Sequence, residues 1–259
     1  MVAEEHRNGI GLTILMKNLK GRGDLLVPGV TEPLDRLYQS LGAERIETRW
    51  FRKVLRPIAG GVQLGLKRLL KRDTPPSYFP PAASKLFDIG DSIQVEADPN
   101  DELVQQVANA LNANHENHAA PYWNAKLLRW RFFHPNGPRH VLVYLPSHDS
   151  VCEFLILSLG PRNGLNVGRV IAASIASEHS LHLLIGHAET VIKKCGGTVL
   201  LTFCADANLS TLFQSLGWKE MPNPPRTFIY HTDKTETFDA CSFMGFAGDI
   251  GFEAIPLAA

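Results

Sequence analysis

The sequence predicts a mixed α/β protein, with a mixed sheet and a helical crossover in its second half. Three observations carry this. Apolar runs bounded by turn residues form a meander over residues 140–175. A long helix follows, marked by Leu181, Leu184, Ile185, Ala188, Val191 and Ile192 at helical spacing. A short segment then recurs: Arg36-Leu-Tyr-Gln-Ser-Leu-Gly42 matches Thr211-Leu-Phe-Gln-Ser-Leu-Gly217.

The elements of the second half follow in order. Residues 92–97 alternate like a strand, and Leu103, Val107, Ala110 and Leu111 mark a helix face. Residues 140–145 and 152–159 are apolar runs split by Pro146, Ser147, His148 and Asp149, which predicts a hairpin. Residues 168–175 extend the meander, and the long helix after it stops at Gly196-Gly197. Residues 198–204 form a buried strand, and Leu209, Leu212, Phe213 and Leu216 mark a short helix stopped by Gly217. Residues 226–232 form the last strand. Strand, helices, three meander strands, helix, strand, helix, strand is the order of a mixed α/β sheet.

The N-terminus repeats the last four of these elements. Leu12, Leu15, Met16 and Leu19 make a helix face, and residues 25–27 a short strand. Leu34, Leu37, Tyr38 and Leu41 make a second helix, stopped by Gly42, and residues 43–54 can form a strand. The chain is therefore expected to hold a half copy over residues 1–56 and a complete copy over 86–259. A basic linker over 57–85, rich in Pro and Gly, joins them.

Composition gives limits only. Of 259 residues, 44% are hydrophobic and 20% charged, with 26 basic and 26 acidic side chains, so net charge points to neither nucleic acid nor membrane. The balance is local instead: between Arg45 and Arg72 nine basic residues face Glu47 alone. That stretch is a solvated face or a surface for an anionic partner, such as a phosphorylated sugar, a lipid headgroup or a cofactor phosphate. Cys152, Cys195, Cys204 and Cys241 form no C-x-x-C pair, which suggests thiols in a reducing cytoplasm. No apolar run approaches the roughly 20 residues that cross a bilayer.

His6-Arg-Asn-Gly-Ile-Gly11 opens the first helix. Glycines there let backbone N–H groups approach an anion, and the helix dipole adds positive potential. In company with the later segment, these residues resemble the GNAT superfamily of acyl-CoA N-acyltransferases. The signature of that family is Arg/Gln-x-x-Gly-x-Gly/Ala, and His6 here stands where Arg or Gln is usual. In the later motif, Asn-x-x-Ala-x-x-Leu-Tyr-x-x-x-Gly-Phe, Thr31 stands for Asn, Leu34 for Ala and Ala43 for Phe, while Leu37, Tyr38 and Gly42 match it. In the second copy these positions hold Asp206, Leu209, Leu212, Phe213, Gly217 and Trp218. Leu128-Arg-Trp-Arg-Phe-Phe-His-Pro135 also resembles a stretch of GNAT-like proteins found with polysaccharide biosynthesis.

The resemblance implies a GNAT-like fold, one partial plus one complete copy, with acetyl-CoA or another acyl-CoA as co-substrate. His6, Arg7, Asn8, Gly9, Ile10 and Gly11 would hold its pyrophosphate, and Tyr38 would protonate the departing thiolate. The acceptor would be a small-molecule or peptide amine, an amino sugar among them. In the second copy, Glu178 stands opposite Gly9, Ser180 opposite Gly11 and Phe213 opposite Tyr38, so that copy should not bind coenzyme A in the usual way. The half copy is expected to be a remnant of a longer tandem protein, a degenerate non-catalytic relative, or half of a sheet completed by the second domain or in a homodimer. A FemX-like transfer from tRNA rests on the basic stretch alone, and no DNA partner is expected.

Other candidates are set aside. His115 with His118, and His179 with His182, have spacing for a shared metal but no third ligand, so no metal is expected. Ser177 capping a helix beside Glu178 is preferred over an acid–base pair of Glu178 and His179. Trp130 and Arg131 belong on a half-buried helix, and residues 248–251 in a turn. No G-x-S-x-G or Walker-type loop occurs.

Overall fold

The computed structural model describes residues 25–30, 32–71, 75–80, 92–113, 118–119, 123–135, 137, 139–146, 153–175, 177–224, 226–230 and 240–241. The first-half elements are β1 (Leu25–Val30), α1 (Glu32–Ser40), β2 (Glu44–Ile46), β3 (Arg49–Val54) and α2 (Pro57–Leu70). Then come β4 (Gln94–Glu96), α3 (Asp101–Ala113), β5 (His118–Ala119) and α4 (Ala125–Phe132). The meander is β6 (His140–Leu145), β7 (Glu153–Arg162) and β8 (Leu165–Ser174), followed by α5 (Glu178–Lys194). The chain continues through β9 (Val199–Cys204), α6 (Ala207–Ser215), β10 (Lys219–Met221), β11 (Arg226–Tyr230) and β12 (Ala240–Cys241).

The larger sheet has the order β10-β3-β9-β8-β7-β6-β4, and a smaller one has the order β1-β11-β2. Only β8 and β9 of the larger sheet pair in parallel, across the α5 crossover. Both faces of the larger sheet are covered, which is why its central strands β6 to β9 are buried nearly throughout. On one face α5 buries Leu181, Leu184, Ile185, Ala188, Val191 and Ile192, each at most 1% exposed, against Leu155, Leu157, Val170 and Leu200. On the other, Val104, Val107 and Leu111 of α3 and Leu128 and Phe132 of α4 cover Leu142, Ile156, Ile171 and Leu201. Burial of each such Val, Leu, Ile or Phe side chain is worth about 1.5–3 kcal/mol.

The repeat is exact at the level of hydrogen bonds around the shared Gln-Ser-Leu-Gly. Gly42 N–H donates to Gln39 O (3.0 Å) and Ala43 N–H to Tyr38 O (3.0 Å). Their counterparts are Gly217 to Gln214 O (2.9 Å) and Trp218 to Phe213 O (3.1 Å). Ser40 Oγ and Ser215 Oγ each donate back to a leucine carbonyl at 2.8 Å, that of Leu37 and that of Leu212. Gly42 and Gly217 sit at φ +83° and +74°, a left-handed turn conformation in which a Cβ is strained.

Each half of the chain gives a strand to the sheet of the other. β3, from the first half, lies between β9 and β10 of the larger sheet, with registers Phe51↔Thr202 and Phe51↔Glu220. β11, from the second half, lies between β1 and β2, with registers Phe228↔Val27 and Phe228↔Arg45. The connections explain the choice. Only Glu47 and Thr48 separate β2 from β3, and neither tolerates the positive φ of a tight two-residue hairpin. The chain instead runs on from one sheet into the other, so the single strand expected over 43–54 becomes two short ones. Between β10 and β11 lies Pro222-Asn-Pro-Pro225, whose prolines provide no N–H for a hairpin ladder.

Each exchanged strand is fastened alike. Phe51 packs against Phe213 (ring centroids 6.0 Å), and Phe228 stacks on Tyr38 (5.8 Å). Lys53 of β3 pairs with Glu189 of α5, and Arg226 of β11 with Asp35 of α1, both at 2.6 Å. The stretch expected as a linker holds a helix, α2: Pro57 fits its first turn, and Gly60 packs on Thr198 and Leu165.

Because each sheet needs a strand from the other half, the halves should unfold together. Phe51→Ala and Phe228→Ala should each cost about 3–5 kcal/mol. Urea unfolding followed by far-UV circular dichroism and by tryptophan fluorescence should give one coincident transition in wild type. Two separated transitions would contradict the shared architecture.

Candidate active site

In open α/β sheets, ligands bind beyond the carboxyl ends of strands, where neighbours diverge. The larger sheet has such a place. The β8–β9 ladder runs from Val167↔Val199 to Val170↔Thr202 and stops, although β8 continues to Ser174 and β9 to Cys204. Beside it, Ile156 pairs with Ala172 while Leu157 pairs with Val170, so Ile171 is an extra, bulged residue. A bulge bends its strand and raises its twist, which turns the end of β8 away from β9.

The helix that starts at this opening is closed by its own side chains. Ser177 is the N-cap of α5, and its Oγ accepts from Ser180 N–H at 3.1 Å, as the sequence suggested. Ser180 Oγ lies 2.8 Å from Ser177 Oγ and donates to Glu153 Oε2 at 2.7 Å. Glu178 Oε1 accepts from Ser215 Oγ of α6 at 3.2 Å. Two carboxylates, Glu153 and Glu178, thus stand at the positive end of the helix dipole. A diphosphate would meet like charge there, so the residues of this copy do not fit coenzyme A. Glu178 and Ser180 are legible as obstacles in the sequence; Glu153 is not, because it comes from the far end of the meander.

Phe213, the counterpart of Tyr38, is fully buried between Phe51 and Trp218 and has no proton to give. Tyr38 is half-buried on α1, packed with Val30, Ala43 and Phe228. Burial raises its phenol above the ordinary tyrosine value, so it keeps its proton through neutral pH. His6, Arg7, Asn8, Gly9, Ile10 and Gly11 lie outside the described residues, as do His115 and residues 248–251.

The remaining candidates take structural places. His179 and His182 are on α5, with His182 Nε2 at 3.9 Å from Glu178. His118 is in β5, paired with Ala240. Among the described residues no group of three metal-ligating side chains occurs. Trp130 is 62% exposed on α4, whereas Leu128 and Phe132 of that helix are buried. Cys195 and Cys204 are free thiols.

No family model matches the chain, and no curated protein does. Solved structures do. A conserved protein of unknown function from Enterococcus faecalis, described as a probable N-acyltransferase, aligns at TM-score 0.52 and 9% identity, over 90% of this chain and 52% of that one. A GCN5-related N-acetyltransferase from Anabaena variabilis aligns at 0.47 and 11%, over 89% and 52%. A tandem GNAT protein from the clavulanic acid biosynthesis pathway aligns at 0.41 and 12%, over 91% and 74%. The chain spans about half the length of the first two. The mixed α/β fold is therefore shared with the probable N-acyltransferase from Enterococcus faecalis.

Burial pushes the Cys204 thiol up to about 12, the Ser210 hydroxyl lowering it only in part. In the unfolded chain a thiol ionises near pH 8.5. Stability from Cys204 is therefore complete below the unfolded value and lost as pH rises from there toward about 12. Iodoacetamide at mildly alkaline pH should leave Cys204 unlabelled in the native protein and label it in urea, as read by peptide mass spectrometry. Native labelling at a rate like that in urea would contradict its burial.

Proposed function

We propose that the chain is an acyl-CoA-dependent N-acyltransferase whose cofactor-binding residues belong to the half copy. The observation that supports this is the filled start of α5 in the complete copy, set beside the glycine-bearing sequence of the half copy. The start of α5 is filled by Ser177, Ser180, Glu153 and Glu178. The sequence of the half copy offers His6, Arg7, Asn8, Gly9, Ile10 and Gly11, with no acidic residue among them.

In this reading the backbone N–H groups from Asn8 to Gly11 hold the pyrophosphate of acetyl-CoA or another acyl-CoA. Tyr38 is the general acid for the departing thiolate, its proton retained at neutral pH because burial disfavours the phenolate. The acceptor is a small-molecule or peptide amine, an amino sugar among the candidates. A homodimer would extend the half copy along β1, one of the two outer strands of the smaller sheet.

A second reading is a non-catalytic GNAT-like module. It is favoured by the stacking of Tyr38 on Phe228, which gives that ring a packing role of its own. Calorimetry with acetyl-CoA separates the two. Micromolar binding that Gly9→Glu abolishes, with Tyr38→Phe keeping affinity but slowing acyl transfer at least about tenfold, is the expected result. No heat at millimolar acetyl-CoA would leave the module.

A further inference from the structure

The helix α2 presents its apolar side to water. Its inner side is settled by contacts: Gly60 packs on Thr198 and Leu165, and Gln63 Oε1 accepts from Asn166 N–H (3.3 Å) and Thr198 Oγ1 (3.2 Å). With 3.6 residues per turn, the opposite side carries Ile58, Val62, Leu66 and Leu69, with Leu70 at its margin. Their exposures run from 38% at Leu66 to 85% at Ile58 and 84% at Leu69. A surface helix of a globular protein shows the reverse arrangement, polar outward.

The charges on this helix have one sign. Arg56 precedes it, Lys67 and Arg68 occupy its last turn, Lys71 follows, and no acidic residue occurs from Arg56 to Lys71. The chain as a whole is balanced, with 26 basic and 26 acidic residues, so this is local. The cations gather at the two ends of the helix rather than along the stripe: Lys67 lies on the inner side beside Gly164, and Arg68 flanks the outward face. An outward apolar stripe with cations at its ends is the make-up of a helix that lies in a bilayer interface, leucines among the acyl chains and cations near anionic headgroups. At 14 residues it is too short to cross, and none of the described helices is long and apolar enough to do so. A second copy is the poorer occupant: two such helices packed antiparallel would set Lys67, Arg68 and Lys71 of one against Arg56 of the other.

We propose that α2 docks the protein on an anionic lipid surface. The docking is peripheral and reversible, and independent of acyl transfer. It needs both the apolar stripe and the basic residues at the ends of the helix.

The full chain would be floated with vesicles of phosphatidylcholine alone and of phosphatidylcholine with phosphatidylglycerol. Partition should be at least about tenfold stronger on the anionic vesicles and should weaken as salt is added. The double variant Ile58→Glu/Leu69→Glu should lose at least about tenfold in partition. Its thermal melting should match wild type, since both side chains face solvent. The triple variant Lys67→Gln/Arg68→Gln/Lys71→Gln should lose the preference for anionic vesicles. No partition to either vesicle would overturn the proposal, as would equal partition to both. So would a wild-type dimer in sedimentation equilibrium that the Ile58→Glu/Leu69→Glu variant converts to monomer, which would assign the stripe to a second copy.

Discussion

The architecture depends on the exchange of one strand in each direction. β3 stands between β9 and β10, and β11 between β1 and β2, so each fills an inner position in a sheet built by the other half. An inner strand satisfies backbone groups on both its neighbours, and a vacancy there would leave two facing rows of N–H and C=O groups unpaired. The exchange is thus a joint requirement. Its side chains enforce it too, because Phe51 completes the core around Phe213 and Trp218, while Phe228 completes the small core of Val30, Ala43 and Tyr38.

That coupling gives the half copy its stability. A three-stranded sheet with one short helix buries little apolar surface, and small units of this kind are marginal alone. Here its middle strand is continuous with the larger domain, and the Asp35–Arg226 pair, 14% and 29% exposed, ties α1 to that strand. Removing either partner would strand a half-buried charge, which costs more than the pair contributes. The half copy can therefore keep a Tyr38 ring at a fixed place without a complete core of its own.

The elements were legible in the sequence because their signals are local. The 3.6-residue stripe of α5, the Gln-Ser-Leu-Gly helix stops and the apolar meander all match the observed bounds within a few residues. The repeat was legible too, since Gly42 and Gly217 serve the same left-handed turn. Which strand pairs with which was not. Arg49–Val54 and Arg226–Tyr230 are equivalent in the two copies, and no residue in either names its neighbours. The clue lay between strands: Glu47-Thr48 and Pro222-Asn-Pro-Pro225 are poor hairpin turns, so the chain carries on straight. At the site, Ser177, Glu178 and Ser180 were legible because they are consecutive with a helix start. Glu153 was hidden because the meander brings it there from a distance. α2 was hidden for another reason: Gly60, Gly61 and Gly65 look like breakers, whereas Gly60 serves a close helix-to-sheet contact.

Those glycines also bear on why α2 exists as a helix at all. Each costs roughly 1 kcal/mol against alanine in a helix interior. A 14-residue segment with three of them has little tendency to form in water. Its inner face offers Gly60 and Gln63 to the sheet and few large apolar groups. The segment is thus helical on modest internal support while holding its leucines outward. Selection for solubility alone would favour polar residues at Ile58 and Leu69, since changing them disturbs no internal contact. Their presence beside Lys67 and Arg68 is understandable if the outward face meets a second apolar phase with anionic groups at its boundary, where the same residues that weaken the helix in water would strengthen it.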